Sequence, residues 1–232
     1  MHEAIATPDA APRSAAPGRT ARATRALLAC GAATAPLFYG SVVVQMLARP
    51  GFDIRRHPIS LLSLGDLGWV QIGTFVLTGL GGVAFAAGMR RALRRGRGAT
   101  WGPPLLGLWG LSLVAAGVFT ADPSVGFPPG APQGVPDQMS WHSVLHGVAF
   151  FTSFTALVVL CLVFARRFAG LGRRDWTACC VATAVAAPVI VALGMRSPTA
   201  AGIPFAVAGA VAFAWVSALA LRLMAELGAG RA

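Results

Sequence analysis

His142 and His146 stand four residues apart in a long apolar stretch of this 232-residue chain. On a helix that spacing puts both rings on one face, with Cβ atoms about 5–6 Å apart. Two imidazoles so placed can share a metal ion, as in helices that bind zinc. Ser153 continues the same face. Zinc takes three or four protein ligands, and a catalytic site leaves one position open to water. His57 and Asp122 are the candidates to complete the set. Asp53 and Ser60 are then placed to assist proton transfer or hold a substrate. Asp53, Ser60 or Asp66 could also orient an imidazole through its second nitrogen.

The same residues admit a structural reading. A histidine in the first turn of a helix, as at position 142, can be solvated or can bond a loop carbonyl. Asp122 before Pro123 suits a turn or a helix cap. Ser63 and Asp66 are natural caps for a following helix. Arg55 and Arg56 can contact lipid headgroups. A haem is a third reading. It needs ligands from opposing elements, and only His57 is available to oppose the pair.

The elements that must position these residues follow from composition. Hydrophobic residues make up 56% of the chain and charged residues only 12%. A soluble domain carries about 25% charged residues. A span needs about 20 mostly apolar residues. Six segments qualify: 24–47, 67–89, 101–121, 141–164, 176–195 and 203–224. Residues 1–23 read as a disordered tail, and residues 226–232 as a short C-terminal tail. The predicted fold class is all-α, a polytopic bundle of six transmembrane helices in residues 24–225. Trp69, Trp101, Trp141 and Trp176 fall near span ends, the depth amphipathic rings favour.

All 19 basic residues are arginine, and the formal net charge is +11. Such a charge would suit nucleic acid, but the arginine blocks flank bilayer-length runs, so no nucleic-acid partner is expected. Fifteen arginines fall on the side of the two termini and the second and fourth loops. Four (Arg49, Arg55, Arg56 and Arg196) fall on the other. Positive-inside bias then puts both termini in the cytoplasm. The expected location is the plasma (inner) membrane.

His57, His142 and His146 all belong to the arginine-poor side, with Asp53, Asp66, Asp122 and Asp137. Ionisable residues near membrane depth are functional candidates by default. On that side, residues 122–140 hold five prolines and three glycines, which suggests an ordered lid rather than a helix. Pro58–Leu64 reads as a short interfacial helix. Gln71, Thr74 and Thr78 form a polar stripe on the second span, read as helix packing. The four cysteines are expected as free thiols, with Cys179 and Cys180 on different sides of one helix.

Four motifs in order carry a resemblance. They are Asp53-Ile54-Arg55-Arg56-His57-Pro58-Ile59-Ser60, Gly65-Asp66-Leu67-Gly68-Trp69-Val70-Gln71, Phe119-Thr120-Ala121-Asp122-Pro123 and His142-Ser143-Val144-Leu145-His146. Together they resemble the prokaryotic six-span family known as domain of unknown function 998, over about residues 25–225. That resemblance implies the fold and brings no established activity. A looser similarity of ligand set links Ser60, Asp122, His57, His142 and His146 to membrane metal hydrolases of the alkaline ceramidase and adiponectin-receptor type. Those proteins have seven core spans, with the histidine pair on the last. The expectation drawn from the residues is a zinc-dependent hydrolase acting on a lipid or amphiphile at the outer face, in contact with membrane lipids. The alternatives are a non-enzymatic lipid or small-molecule binding protein or transporter, and a structural partner in an envelope complex.

Overall fold

The computed structural model describes residues 17–229. Its helices are α1 (Pro17–Ala32), α2 (Thr34–Ala48), α3 (Gly68–Ala92), α4 (Arg97–Val118), α5 (Trp141–Gly170), α6 (Arg174–Met195) and α7 (Gly202–Gly228). No β-strand occurs among the described residues. Helices α1 and α2 run on as one membrane-length element, Gly18–Ala48, so six helical segments are long and apolar enough to span a membrane. Residues 1–16 of the expected tail lie outside the described residues, as do 230–232, while 17–23 form the first turns of α1. Helix α5 continues to Gly170, past the expected end at 164. Arg166 and Arg167 end the apolar run there without ending the backbone helix.

The break between α1 and α2 has a local cause. Pro36 lacks an N–H and its ring crowds the carbonyl four residues back, which interrupts a helix. In a membrane the polar groups so exposed need partners. Ser217 of α7 supplies them. Its hydroxyl accepts from the Ala35 N–H at 3.2 Å and donates to the Gly31 carbonyl at 3.3 Å, with Thr34 Oγ1 3.2 Å away.

Helices α3 and α4 meet backbone to backbone. A Cβ on Gly79 would stand 2.5 Å from the Gly110 carbonyl oxygen, and one on Gly110 would stand 2.6 Å from that of Gly79. Only glycine allows this approach, a common device where helices pack in lipid. The polar stripe of α3 turns inward against α2. Gln45 Nε2 donates to Gln71 Oε1 at 2.7 Å, and the Ser41 and Thr74 hydroxyls lie 2.7 Å apart. This is the packing role expected for Gln71 and Thr74, with Thr78 also fully buried.

The two ends of the bundle differ. Arg90, Arg91, Arg97, Arg166, Arg167, Arg173, Arg174 and Arg222 gather at the arginine end. There Leu160, Phe164, Phe168, Trp215 and Leu219 are fully or almost fully buried and close the interior. The other end carries the loops 49–67, 119–140 and 196–201, and all three histidines of interest. Trp69, Trp101 and Trp141 stand exposed at helix starts, whereas Trp176 packs on Phe168 with its ring under Arg222. Cys179 is exposed and Cys180 buried, on different sides of α6 as expected.

Candidate functional site

The first loop does not lie on the surface. Residues Ile59–Ser63 form a single 3-10 turn after Pro58, and Ile59, Leu61, Leu62 and Ser63 are all buried. This differs from the expected interfacial helix. Arg49, directly after α2, explains why the segment can sit inside. Its guanidinium donates to the carbonyls of Leu62 and Leu64 and lies over the Phe127 ring, 5.2 Å from the centroid. Two carbonyls that a buried turn would otherwise leave unpaired are thus satisfied by one rigid fork. The cap of α3 is Leu67, and no side chain bonds there. The expected caps Ser63 and Asp66 take other places: Ser63 is buried in the turn and Asp66 is exposed.

His57 ties the first loop to the third. Its Nδ1 accepts from the Asp53 N–H at 2.9 Å, so Nε2 carries the proton and donates to the Val125 carbonyl at 3.0 Å. The ring is 3% exposed and lies 5.4 Å from both Phe52 and Phe127. Val125 and Phe127 pack on Leu61 in a small apolar cluster. Residues 122–140 therefore form an ordered lid over the first loop.

Asp122 closes the ends of that lid. Its carboxylate accepts from the Ser140 N–H at 2.7 Å and the Ser140 hydroxyl at 2.6 Å. Ser140 Oγ in turn accepts from the Ser143 N–H and caps α5. Burial opposes ionisation of Asp122. The hydrogen bonds from Ser140 and Ser143 and the nearby His142 outweigh it and hold the carboxyl below its ordinary range. Asp53 is taken by Arg55, whose N–H and guanidinium hydrogen-bond its carboxylate and lower its pKa.

His142 lies tilted against Trp141, with ring centroids 3.7 Å apart, and near Phe119, at 5.9 Å. His146 lies one turn deeper and is 8% exposed. Its Nδ1 is 3.0 Å from the Ala116 carbonyl and 2.8 Å from that of Phe119. These carbonyls belong to the last turn of α4 and to Phe119, the residue that caps it, and are left free by the end of the helix. A carbonyl only accepts, so Nδ1 carries the proton.

The proposed zinc ligands are therefore not brought together. His57 has both nitrogens engaged and Asp122 is held by Ser140, while His146 spends only Nδ1 on carbonyls. Among the described residues, no three His, Cys, Asp or Glu side chains form a group able to hold a metal ion. The loops do converge, but around carbonyls and aromatic rings.

What they cover is a cavity of about 470 Å³. It lies within the range of small-molecule sites. Phe38, Phe75, Trp109, Phe150, Phe205 and Phe213 wall it, with the ring of His146 and the residues Ser60, Ser124 and Ser143 also on the lining. No Asp, Glu, Lys or Arg lines it. Val135, Met139, Phe151 and Met195 form part of the lining and are themselves exposed, so the opening has an apolar rim.

Six spans, a re-entrant first loop and a proline-rich lid over that loop make one continuous unit. Its sequence matches a family along nearly all of that unit. The chain belongs to the family described as Protein of unknown function (DUF998), matched over residues 32–222. No curated protein and no solved structure matches it. The family match covers Arg49, His57, Asp122, the histidine pair and the cavity walls, and excludes most of α1.

Of the predicted site residues, the DUF998 fold puts only Ser60 and His146 on the cavity. His57, Asp122 and Asp53 build its cover, and His142 sits beside it. The aromatic walls were missed, because in sequence they look like any span residue. Gly147 was missed as well. It lines the cavity, and a side chain added there meets open space.

The Asp122 strap predicts a pH effect with a definite sign. Its folded-state pKa is depressed, so the stabilisation is present above the unfolded value of about 3.9. It is lost as pH falls through the folded value. Thermal melting in detergent should show Asp122→Asn less stable than wild type at pH 7, with the gap closing toward pH 3. A gap independent of pH contradicts the assignment.

Proposed function

We propose that this DUF998 protein binds a lipid or amphiphile in the cavity under its histidine-end lid. The observation that carries this reading is the lining: mostly aromatic and aliphatic, free of Asp, Glu, Lys and Arg, and opening through an apolar rim. Burial of apolar surface contributes about 25 cal/mol per Å². A ligand with a long apolar part gains most in such a space. The tight packing of Leu160, Phe164, Trp215 and Leu219 below it makes a one-ended pocket, which favours a binding role over a through-channel. The expected zinc hydrolase has no comparable support: His57 and Asp122 are held in the cover, and no three potential ligands group together among the described residues.

We further propose that the arginine end faces the cytoplasm, so that the cavity opens toward the outer leaflet of the plasma membrane. The support is the fifteen-to-four distribution of arginine.

Two measurements test these readings. Thermal melting of the protein in nanodiscs, with and without long-chain amphiphiles, should show ligand-dependent stabilisation of wild type. Gly147→Phe fills the cavity from a position with free space, so it should fold normally and lose that stabilisation. Equal stabilisation of both proteins would place the ligand elsewhere. For orientation, a fluorescent protein fused after residue 232 should fluoresce. Alkaline phosphatase fused within residues 126–134 should be active. The reverse pattern overturns the orientation.

A further inference from the structure

His146 is a buried polar group on the cavity lining with a hydrogen-bonding atom still unused. Its Nδ1–H is committed to the Ala116 and Phe119 carbonyls. In the neutral ring the lone pair then belongs to Nε2. Among the described residues Nε2 makes no hydrogen bond, yet the side chain lines the cavity and is more than nine-tenths buried. The α4 carbonyls thus do more than receive a proton. They hold the ring in one orientation and leave an acceptor facing the cavity.

We infer that the cavity selects an uncharged long-chain alcohol, whose hydroxyl donates to His146 Nε2 while its chain lies among Trp109, Leu157 and Phe213. This rests on the binding role proposed above and deepens it. The sign of the selection comes from what is missing from the walls. A carboxylate or phosphate would be desolvated there with no Lys or Arg on the lining, and an ammonium with no Asp or Glu, each at heavy cost. An ether or ester fills the same space but offers no proton, so the Nε2 lone pair would stay unpaired. A hydroxyl satisfies the nitrogen without bringing charge. Ser60 and Ser124 make no side-chain hydrogen bond among the described residues and line the cavity from the lid side. They can receive a second hydroxyl, so a monoacylglycerol-type head also fits this class.

The experiment compares oleyl alcohol, its methyl ether and oleate on the full chain in zwitterionic nanodiscs, read as dissociation constants by displacement of a fluorescent alkyl probe. Wild type should bind the alcohol about tenfold more tightly than the ether, the worth of one ordinary hydrogen bond. Oleate should be weaker than the alcohol. His146→Phe keeps a ring in place but removes the acceptor, and should bring alcohol and ether to equal affinity. Because that variant also strips the α4 carbonyls of their donor, it could fail to fold. A second readout therefore uses wild type alone. The ¹⁵N signal of the unprotonated His146 nitrogen should move on adding the alcohol and stay in place with the ether. Equal affinities in wild type, preference for oleate, or an unmoved ¹⁵N signal would overturn the inference. If all three ligands bind wild type equally and Gly147→Phe abolishes them all, the binding role stands and only the His146 selection falls. If none binds, the binding role itself falls.

Discussion

Backbone polar groups cannot be left bare inside a membrane protein, and the histidine end of this bundle is organised around that constraint. A non-helical segment is tolerated at depth only where protein groups pair its carbonyls and amides. Arg49 does this for Leu62 and Leu64, His57 for Val125 and Asp53, and His146 for Ala116 and Phe119. Two of these side chains, His57 and His146, invite a metal-site reading, yet with Arg49 they are the means by which loops can fold back into the bundle. Ser217 does the same for the break at Pro36.

The cavity is a consequence of this arrangement. At Gly79 and Gly110, α3 and α4 approach until their backbones touch, and at the arginine end aromatic and leucine side chains fill the interior. At the histidine end the re-entrant turn and the lid cover the bundle without filling it. Their carbonyls are spent on Arg49 and His57, so the surface they turn toward the space is mainly apolar. The result is a low-dielectric chamber whose few polar groups are the His146 ring, Tyr39 and a handful of serine hydroxyls. In such surroundings a single hydrogen bond discriminates more sharply than it would in water.

Much of the fold could be read from residues. Long apolar runs separated by arginine blocks locate all six spans, and the same blocks separate the two ends. Boundaries slipped where hydropathy and helicity part company, as at Arg166 and Arg167 inside α5. The histidines could be placed at one end but not given roles. A histidine whose nitrogens meet carbonyls is identical in sequence to one whose nitrogens meet a metal, and the partners of His57 and His146 lie 68 and 30 residues away. Asp122 before Pro123 was legible as a cap or turn residue, whereas its partner Ser140, eighteen residues on, was not. The pairing of Ser41 and Gln45 with Gln71 and Thr74 could have been suspected from matching polar stripes on successive spans. The cavity could not, since Phe38, Phe205 and Phe213 satisfy the same hydrophobic pattern whether they meet a neighbour or a ligand.

The central claim is that an apolar ligand occupies the space beneath the lid. Photolabelling tests it most directly, with a long-chain alcohol carrying a diazirine near the end of its chain. The labelled protein is digested and the modified residues are mapped by mass spectrometry. The account predicts labels at the cavity-facing positions of α5 and α7, around Phe154–Leu157 and Gly209–Phe213, competed by unlabelled alcohol and absent in Gly147→Phe. Labels confined to outward positions such as Val185 and Val189 of α6, insensitive to competition, would contradict it.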